Sequence, residues 1–492
     1  MTAVELALGA GAAVLLLAVL AVRISTRLGL PSLLLYLAIG LLLGESGLGI
    51  EFSNAPLTAA AGIAGLVLIL AEGGLTTRWS VVRPALARGI ALATVAVVAN
   101  IAITGSALHL VLRLDWRTAL LWGAVLSSTD AAAVFSVLRA LNVPPQLAGA
   151  LEMESGINDA PVYIAVVLLA AGDPLRWWTP LLVGYELLVG TLVGVALGFA
   201  GAWTLRRAAL PATGLYPLAT IAVCVLAFAL GQGLHASGFL ATYQAGLVLG
   251  NARLPHRGDT VSFAEGLGWL AQIGLFVLLG LYASPARLAG AVIPALLAGA
   301  VLVAAARPLS VALALAPLRV PWREQAFLSW SGLRGAVPIV LALIALTRGF
   351  PGAQRLVDVV FVLVVLLTVV QGVTVAPVVR WLGLSRPEQG QDIEVDSAAL
   401  DEMDAQLLQV RIPRFSRLHG VYLWELRLPA GAVVSLVVRN SQGFTPAPTT
   451  RLQEDDQLLV VTTLGARDQA QQRLRAVHRV GRLARWLGET GT

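Results

Sequence analysis

Two strings of polar and acidic residues lie inside hydrophobic stretches that are long enough to cross a bilayer. They are Ser127-Ser128-Thr129-Asp130 and Glu154-Ser155-Gly156-Ile157-Asn158-Asp159. An ionisable group at membrane depth costs several kcal/mol, so such groups are rare and usually functional. If the second string is helical, Ser155 and Asp159 share one face, and Glu154 and Asn158 share the adjoining one. The sequence therefore predicts a strip with two carboxylates, a hydroxyl and an amide within two helical turns.

Oxygen atoms of this kind suit a hard monovalent cation that has lost part of its water. Burial disfavours the charged form of a carboxylate, so one buried group can hold either a proton or a cation, but not both. Competition of this kind, combined with alternating access to the two sides of the membrane, is sufficient for antiport. Asp130, Thr129 and Glu72 offer further oxygen atoms at midspan. The alternative is a polar clamp between helices, although the number of polar groups favours an ion site.

Six other ionisable residues lie in or near the predicted spans. Arg334 needs an anionic partner at its depth, and Glu154 is the best candidate because Asp159 must stay free to titrate. Glu72 could instead be an interfacial carboxylate, because Arg78 lies six residues away. Arg307, like Glu186, His109 and His235, is interpreted as structural or interfacial, because these residues lie nearer span ends or lack polar neighbours.

Composition identifies a polytopic membrane protein. The 492 residues are 57% hydrophobic and 13% charged, with a mean hydropathy of +0.81, whereas soluble proteins average about 45–50% apolar and about 25% charged residues. The formal charge of +6 does not indicate nucleic-acid binding, because the arginines lie mainly in short loops and in the tail, where membrane topology explains them. The single cysteine, Cys224, can form no intrachain disulfide.

Thirteen segments have the length and hydrophobicity expected of membrane spans. They lie near residues 4–22, 29–44, 56–76, 86–112, 117–139, 146–170, 179–204, 214–233, 236–251, 263–283, 286–317, 325–347 and 356–380. Loops after odd-numbered spans, together with the segment that leaves span 13, hold 13 arginines, against 4 in loops after even-numbered spans. The positive-inside rule therefore predicts an N-terminus outside and a C-terminus in the cytoplasm. All 34 basic residues are arginine, and Ala, Leu, Val and Gly are abundant, which suggests a GC-rich bacterial genome and hence an inner-membrane protein. No basic segment precedes the first span, so it is expected to be retained and not cleaved as a signal peptide.

Two of these spans contain a central break. In span 5 an apolar helix reaches Ser127-Ser128-Thr129-Asp130, residue types that favour helix N-caps, before a new helix-forming run at Ala131-Ala132-Ala133-Val134. In span 12, Ser331-Gly332-Leu333-Arg334-Gly335-Ala336-Val337-Pro338 places two glycines, a proline and a cation in an apolar run. Spans 5 and 12 differ by seven, so equivalent helices would cross the membrane in opposite directions. Paired broken helices of this kind mark the ion site of inverted-repeat transporters.

The chain becomes soluble in character after the last span. Residues 386–404 read as an acidic linker with its own short helix, and residues 405–465 read as a small α/β domain. Its strands are expected near 407–412, 433–438 and 458–462, with a helix near 418–426 and a hairpin through Gln442-Gly443. Residues 466–492 form a basic amphipathic helix and tail, which either lies on the anionic inner leaflet or packs on the small domain.

The membrane motifs resemble those of the NhaP-type monovalent cation/proton antiporters. Thr129-Asp130, Glu154 to Asp159 and Gly332-Leu333-Arg334-Gly335-Ala336 occur in the family's order on predicted spans 5, 6 and 12. The resemblance covers about the first 385 residues and implies an all-α fold with inverted repeats. It also implies a homodimer of thirteen-helix protomers, each with a core bundle that moves against a dimerisation scaffold.

The same resemblance assigns roles to individual residues. Asp159 and Asp130 would bind the cation and the proton, with assistance from Ser155, Thr129 and Glu72. Asn158 stands where electrogenic relatives have a second aspartate, which implies one-for-one electroneutral exchange. A salt bridge between Glu154 and Arg334 would hold the core. Ala131 replaces a proline that many members carry, which fits the potassium-exchanging branch better, and sodium stays open as the cation.

The tail resembles the TrkA-C (RCK-C) regulatory domain of potassium-transport proteins. The resemblance rests on Leu426-Arg427-Leu428-Pro429-Ala430-Gly431-Ala432-Val433, Thr450-Arg451-Leu452 and Asp456-Gln457-Leu458, while Asp455 replaces the usual glycine. Such modules often bind small ligands, including cyclic dinucleotides, so the resemblance implies a small-molecule regulator, with nucleotides among the candidates, and no resident cofactor.

The strongest rival hypothesis is a regulated potassium channel. Val183-Gly184-Tyr185 is similar to a selectivity filter, and the tail is of a channel-associated type. The tripeptide, however, lies in an uninterrupted apolar helix, with no sign of a re-entrant loop. An intramembrane protease is disfavoured because the chain has neither an HExxH nor a GxSxG arrangement. The sequence therefore predicts a transporter that is not an enzyme.

Overall fold

The chain divides into two compact units, Met1–Ser385 and Arg386–Thr492. The computed structural model describes residues 2–28, 31–45, 47–50, 52–130, 143–172, 176–384, 395–400, 405–413, 416–440, 442–463 and 465–480. The first unit is helical throughout its described elements, and the second contains a β-sheet.

The helices of the first unit follow the predicted spans closely. They are α1 Ala3–Leu28, α2 Ser32–Leu43, α3 Ala55–Thr76, α4 Trp79–Leu112, α5 Trp116–Val125, α6 Pro145–Ala171, α7 Thr179–Arg207, α8 Leu215–Gly233, α9 Gly238–Asn251, α10 Arg257–Tyr282, α11 Pro285–Leu318, α12 Trp322–Trp330, α13 Ala336–Thr347 and α14 Ala353–Trp381. Among the described residues, eight of these helices are long and apolar enough to cross a membrane, and α1, α2 and α13 contain shorter apolar segments. The total of thirteen spans stays a prediction, because residues 131–142 lie outside the described part of the chain.

Side-chain caps fix several helix starts. The Asn54 carboxamide oxygen accepts from the Leu57 amide at the start of α3, and the Asp115 carboxylate accepts from the Thr118 amide at the start of α5. Such caps satisfy backbone donors that have no partner within the helix. Asp115 lies in the loop before α5, and hydrogen bonds from the side chain and the backbone of Thr118 lower the pKa of its carboxyl group.

Close packing against neighbouring helices fixes the position of α10. α10 packs against α2 and α3, and α13 packs against α3 and α14. A Cβ atom on Gly40 of α2 would lie 2.1 Å from the carbonyl oxygen of Val277, and a Cβ atom on Gly280 of α10 would lie 2.3 Å from that of Leu37. Only glycine permits this approach, as is common between membrane helices. α2 and α10 therefore form a tightly packed pair.

The second unit contains a five-stranded antiparallel sheet in the order β1-β2-β5-β3-β4. Its strands are β1 Val395–Leu400, β2 Ala405–Arg411, β3 Ala432–Arg439, β4 Gln442–Phe444 and β5 Gln457–Thr463. The three predicted strands are confirmed, and the predicted hairpin forms between β3 and β4, with Gln442 and Gly443 in strand β4 and not in the turn. The predicted helix near residues 418–426 is wrong except for a single 3₁₀ turn at Leu423–Leu426.

The linker segment and the C-terminal helix of this unit bear on two predictions made from the sequence. The predicted linker helix is wrong in the described residues, because β1 pairs along its whole length with β2 and so satisfies its backbone groups in the sheet. The C-terminal helix α15 (Arg467–Val480) buries Ala470, Leu474 and Val477 in the core of the sheet domain. Of the two alternatives for this helix, packing on the small domain is therefore confirmed.

Candidate cation and proton site

Two non-helical breaks meet inside the membrane unit. α5 ends at Val125, and the chain continues without helical structure to Asp130, while α12 and α13 are separated by residues 331–335. The Asp130 amide donates to the Leu333 carbonyl oxygen at 2.9 Å, so the two breaks pair with each other. The break in span 12 is confirmed, as is the end of the first half of span 5. The predicted new helix at Ala131-Ala132-Ala133-Val134 lies outside the described residues.

Asp130 is held at the N-terminus of α13. The Ala336 amide donates to its Oδ2 at 3.2 Å, and the residue is only 5% exposed. A Cβ atom on Gly335 would lie 1.4 Å from that same oxygen. The glycine is thus required for the carboxylate to reach the helix end, where backbone amides and the helix dipole favour a negative charge.

Asp159 of α6 is hydrogen-bonded to the break in span 5. The Ser128 hydroxyl donates to Asp159 Oδ1 at 2.7 Å. One turn away, the Thr129 and Ser155 hydroxyls lie 3.2 Å apart, and Asn158 Nδ2 donates to Thr129 Oγ1 at 2.6 Å. The polar strip of α6 and the polar break after α5 therefore interlock, as expected from their residue types.

The two aspartates line one small cavity. Its wall consists of Leu66, Ile69, Leu70, Asp130, Asp159, Gln272, Phe276, Ala336 and Val337. The free space is about that of a single water molecule. In the described part of the chain, no three His, Cys, Asp or Glu side chains converge as a metal site would require. A cation here would take its ligands from the two carboxylates together with neutral oxygens.

The predicted assisting residues do not all reach this cavity. Ser155, Thr129 and Asn158 lie behind the aspartates, where they bond to one another and do not line the free space. Glu72 packs against Gly268 of α10, because a Cβ atom added to Gly268 would lie 3.0 Å from the Cγ atom of Glu72. The lining from α3 comes instead from Leu66, Ile69 and Leu70, which lie up to two turns away from Glu72. Glu72 is not among the residues that line the cavity, and its assisting role stays a prediction.

The predicted salt bridge between Glu154 and Arg334 is wrong in this structure. Glu154 pairs with Arg307 of α11 at 2.5 Å, and the two side chains are 1% and 5% exposed. Arg334 instead donates from its guanidinium to the Ser128 carbonyl oxygen, while its own carbonyl oxygen accepts from Thr368 at 3.0 Å. Arg334 therefore ties the two breaks together, and Arg307 neutralises Glu154.

Arg307 is structural and not interfacial, and the sequence interpretation did not identify its partner. It lies inside the continuous helix α11 and is 4% exposed, so it is neither interfacial nor near a span end. A Cβ atom on Gly332 would lie 2.8 Å from Arg307 Nε, so the glycine of the break leaves room for this guanidinium. The sequence feature that could have indicated this pair is a second arginine inside an apolar run, because a cation at that depth needs an anionic partner.

Ser128 and Gln272 were also missed. Ser128 stands in the polar string of span 5, but its bond to Asp159 depends on how the break is oriented. Gln272 lies in the middle of α10, and a single amide in an apolar helix carries no distinctive spacing signal.

The channel hypothesis finds no support in the geometry. Val183-Gly184-Tyr185 lies within the continuous helix α7, and a Cβ atom on Gly184 would meet nothing within 4 Å. A selectivity filter needs backbone carbonyls that are freed from helical bonding and converge on an ion. The tripeptide offers no such group.

Comparisons with known proteins agree with this geometry. The family model described as the transmembrane sodium/hydrogen exchanger matches residues 13–381, and the TrkA-C domain model matches residues 407–475. The K(+)/H(+) antiporter NhaP of Alkalimonas amylolytica is 39% identical over 398 residues, which is 79% of this chain and 69% of that protein. The K(+)/H(+) antiporter NhaP2 of Shewanella baltica is 33% identical over 463 residues, or 92% of this chain and 80% of that protein.

A solved structure shares the fold. The sodium proton antiporter MjNhaP1 from Methanocaldococcus jannaschii, solved at pH 8, matches with a TM-score of 0.68 at 24% identity. The match covers 77% of this chain and 99% of that chain. The resemblance to the NhaP-type antiporters and to TrkA-C domains is thereby confirmed. The chain belongs to the sodium/hydrogen exchanger family and is a transmembrane cation/proton antiporter with a C-terminal TrkA-C domain.

Proposed function

We propose that this antiporter exchanges potassium for protons, one for one, by letting a cation and a proton compete for Asp130 and Asp159. The observation that carries the proposal is that both carboxylates line the same water-sized cavity, although they come from different segments of the chain. A proton on either carboxylate removes a negative ligand, and a cation in the cavity opposes protonation. Exchange follows if the occupied site is exposed alternately to the two sides of the membrane.

Each neighbour of the two aspartates has a separate role in this proposal. Ser128 orients Asp159 by donating to Oδ1, and the N-terminus of α13 stabilises Asp130 in its ionised form. Thr129 and Ser155 hold the break against α6. Two contacts hold the two breaks in position relative to each other. They are the ion pair between Glu154 and Arg307 and the hydrogen bond from Arg334 to the Ser128 carbonyl oxygen.

Asn158 supports electroneutral exchange. Its amide nitrogen donates to Thr129, which an ionised aspartate at this position could not do. Among the described residues that line the cavity, Asp130 and Asp159 are the two that carry carboxylates. One cation entering as one proton leaves keeps the charge of such a site constant.

Potassium is proposed as the main cation, with sodium as the alternative. The support is that the relatives of 39% and 33% identity both carry K(+)/H(+) in their names. The arginine distribution supports a bacterial inner-membrane location with the N-terminus outside and the C-terminus in the cytoplasm. A homodimer, and a small-molecule regulator on the TrkA-C domain, complete the proposal.

The test is proton movement in proteoliposomes that contain the purified protein and a trapped pH dye. Potassium, sodium, lithium and rubidium are added side by side, and an imposed membrane potential should leave the exchange unchanged. Asp159→Asn should abolish cation-driven proton movement, whereas Asp259→Asn, at an exposed carboxylate near the start of α10, should behave as wild type.

Full activity in the folded Asp159→Asn variant would remove this carboxylate from the mechanism. A channel would instead pass cations without moving protons, so cation uptake without dequenching of the dye would contradict antiport.

A further inference from the structure

Gln272 belongs to the part of the cavity wall that α3 and α10 contribute. It lies on α10, is 7% exposed, and lines the same free space as Asp130 and Asp159. The rest of that wall is apolar and comes from Leu66, Ile69, Leu70 and Phe276. A lone amide in such a wall is not needed to fill space, since a leucine or methionine would fill it as well.

The Gln272 amide has no hydrogen-bond partner within the described residues. Buried amides are nearly always hydrogen-bonded, because a buried polar group without a partner costs free energy. Gln371 of α14, by comparison, is anchored through its amide nitrogen, which donates to the Trp330 carbonyl oxygen at 3.1 Å, while its Oε1 has no partner among the described residues. The Gln272 side chain forms no hydrogen bond with the described part of the protein, and it lines the cavity in which a transported ion would lie.

The position of Gln272 is fixed by its helix. Gly268, one turn before it, packs against Glu72 of α3, and Phe276, one turn after it, is 1% exposed. Gly280, two turns after it, is in close contact with α2. The amide is therefore presented to the cavity from a rigid support, as a preorganised ligand requires.

We propose that Gln272 is a ligand of the transported cation and coordinates it through Oε1 in the cavity that Asp130 and Asp159 also line. The inference rests on the proposed function, because it assigns a further ligand to the same site. A neutral oxygen adds to the coordination without adding charge, so the one-for-one exchange is preserved.

The same amide is satisfied in the proton-loaded state. A protonated carboxyl group has an O–H donor, and Gln272 Oε1 can accept from it when no cation is present. The field of an amide oxygen is weaker than that of a carboxylate, and ligand field strength is one factor in selection between potassium and sodium. Gln272 therefore influences both the affinity for the cation and the choice among alkali cations.

The experiment compares Gln272→Met with Gln244→Met in proteoliposomes. Gln244 lies on the neighbouring helix α9 and does not line the cavity, so its substitution is the matched control. Loss of one charge-assisted contact should raise the apparent KM for potassium about tenfold in Gln272→Met. The maximal rate should stay close to wild type, and the order of preference among lithium, sodium, potassium and rubidium should change. The control should leave both the KM and the order unaltered.

A second variant, Gln272→Glu, keeps the size of the side chain and adds a negative oxygen. It should bind potassium more tightly than wild type and make the exchange respond to an imposed membrane potential. Purified wild type should gain thermal stability in potassium chloride over choline chloride at equal ionic strength, and this gain should be smaller in Gln272→Met. If Gln272→Met does not fold, Gln272→Glu decides the question.

An unchanged KM and an unchanged cation order in Gln272→Met would overturn the inference, as would a wild-type KM in Gln272→Glu. The proposed function would still stand after either result, provided that the wild-type protein exchanges cations for protons and Asp159→Asn does not. Absence of exchange in the wild type with every alkali cation would instead refute the proposed function.

Discussion

Replacing Glu154 by glutamine should destabilise the membrane unit strongly. Glu154 and Arg307 lie 2.5 Å apart, and their side chains are 1% and 5% exposed. Removal of one partner of a buried ion pair costs about 3–5 kcal/mol, because the remaining charge stays buried without compensation. We expect the melting temperature of detergent-purified Glu154→Gln to fall by roughly 5–10 °C.

The matched control is an ion pair in the same unit with more access to solvent. Arg88 and Glu324 lie 2.9 Å apart, and their side chains are 23% and 25% exposed. Exposed pairs contribute about 0.2–1 kcal/mol, so Glu324→Gln should change the melting temperature little. Fluorescence-detected size-exclusion chromatography after heating measures the melting temperatures of both variants.

Double substitutions identify the partner of Glu154. Glu154→Leu combined with Arg307→Met removes both buried charges and should be more stable than Glu154→Leu alone. Glu154→Leu combined with Arg334→Met should show no such recovery, because Arg334 bonds to the Ser128 carbonyl oxygen. Recovery with Arg334→Met and none with Arg307→Met would refute this reasoning, as would a Glu154→Gln variant that melts like wild type.

Three further predictions concern backbone geometry and the TrkA-C domain. Gly335→Ala should abolish exchange, because the new Cβ would displace the Asp130 carboxylate, whereas Gly184→Ala should retain it; equal activity in the two variants would contradict the close approach. Asp455 has a φ of 62°, so Asp455→Val should destabilise the small domain by about 1–2 kcal/mol, and Asp455→Gly should not; thermal melts that rank them otherwise would count against this backbone conformation. Deletion of all residues after Arg386 should preserve exchange and alter only its dependence on pH or a regulator, and an inactive, well-folded truncation would show that the tail is essential.

The functional strip on α6 could be predicted because helical periodicity is local. Four-residue spacing places Ser155 and Asp159 on one face regardless of the surrounding fold. The breaks could be predicted for the same reason, since glycines, a proline and N-cap residue types interrupt a helix wherever they occur. That Asp130 and Asp159 share a site was expected from the resemblance to the NhaP-type antiporters, because Asp159 lies on span 6 and not on either broken span.

The partners of these residues could not be predicted, because they depend on which helices become neighbours. Two buried arginines were available to Glu154, and only the packing of α11 against the break selects Arg307. The β1 strand was missed because a short acidic stretch gains its structure from pairing with β2 and has little preference of its own.

The sequence by itself determined that this protein spans a membrane and where its helices break. Those properties follow from composition and from spacing along single helices. The tertiary structure alone decided that Ser128 holds Asp159, that Arg307 neutralises Glu154, and that Gln272 faces the cavity. Each of these contacts joins segments far apart in the chain, and the direction in which a side chain points across a helix interface is fixed only when the helices pack.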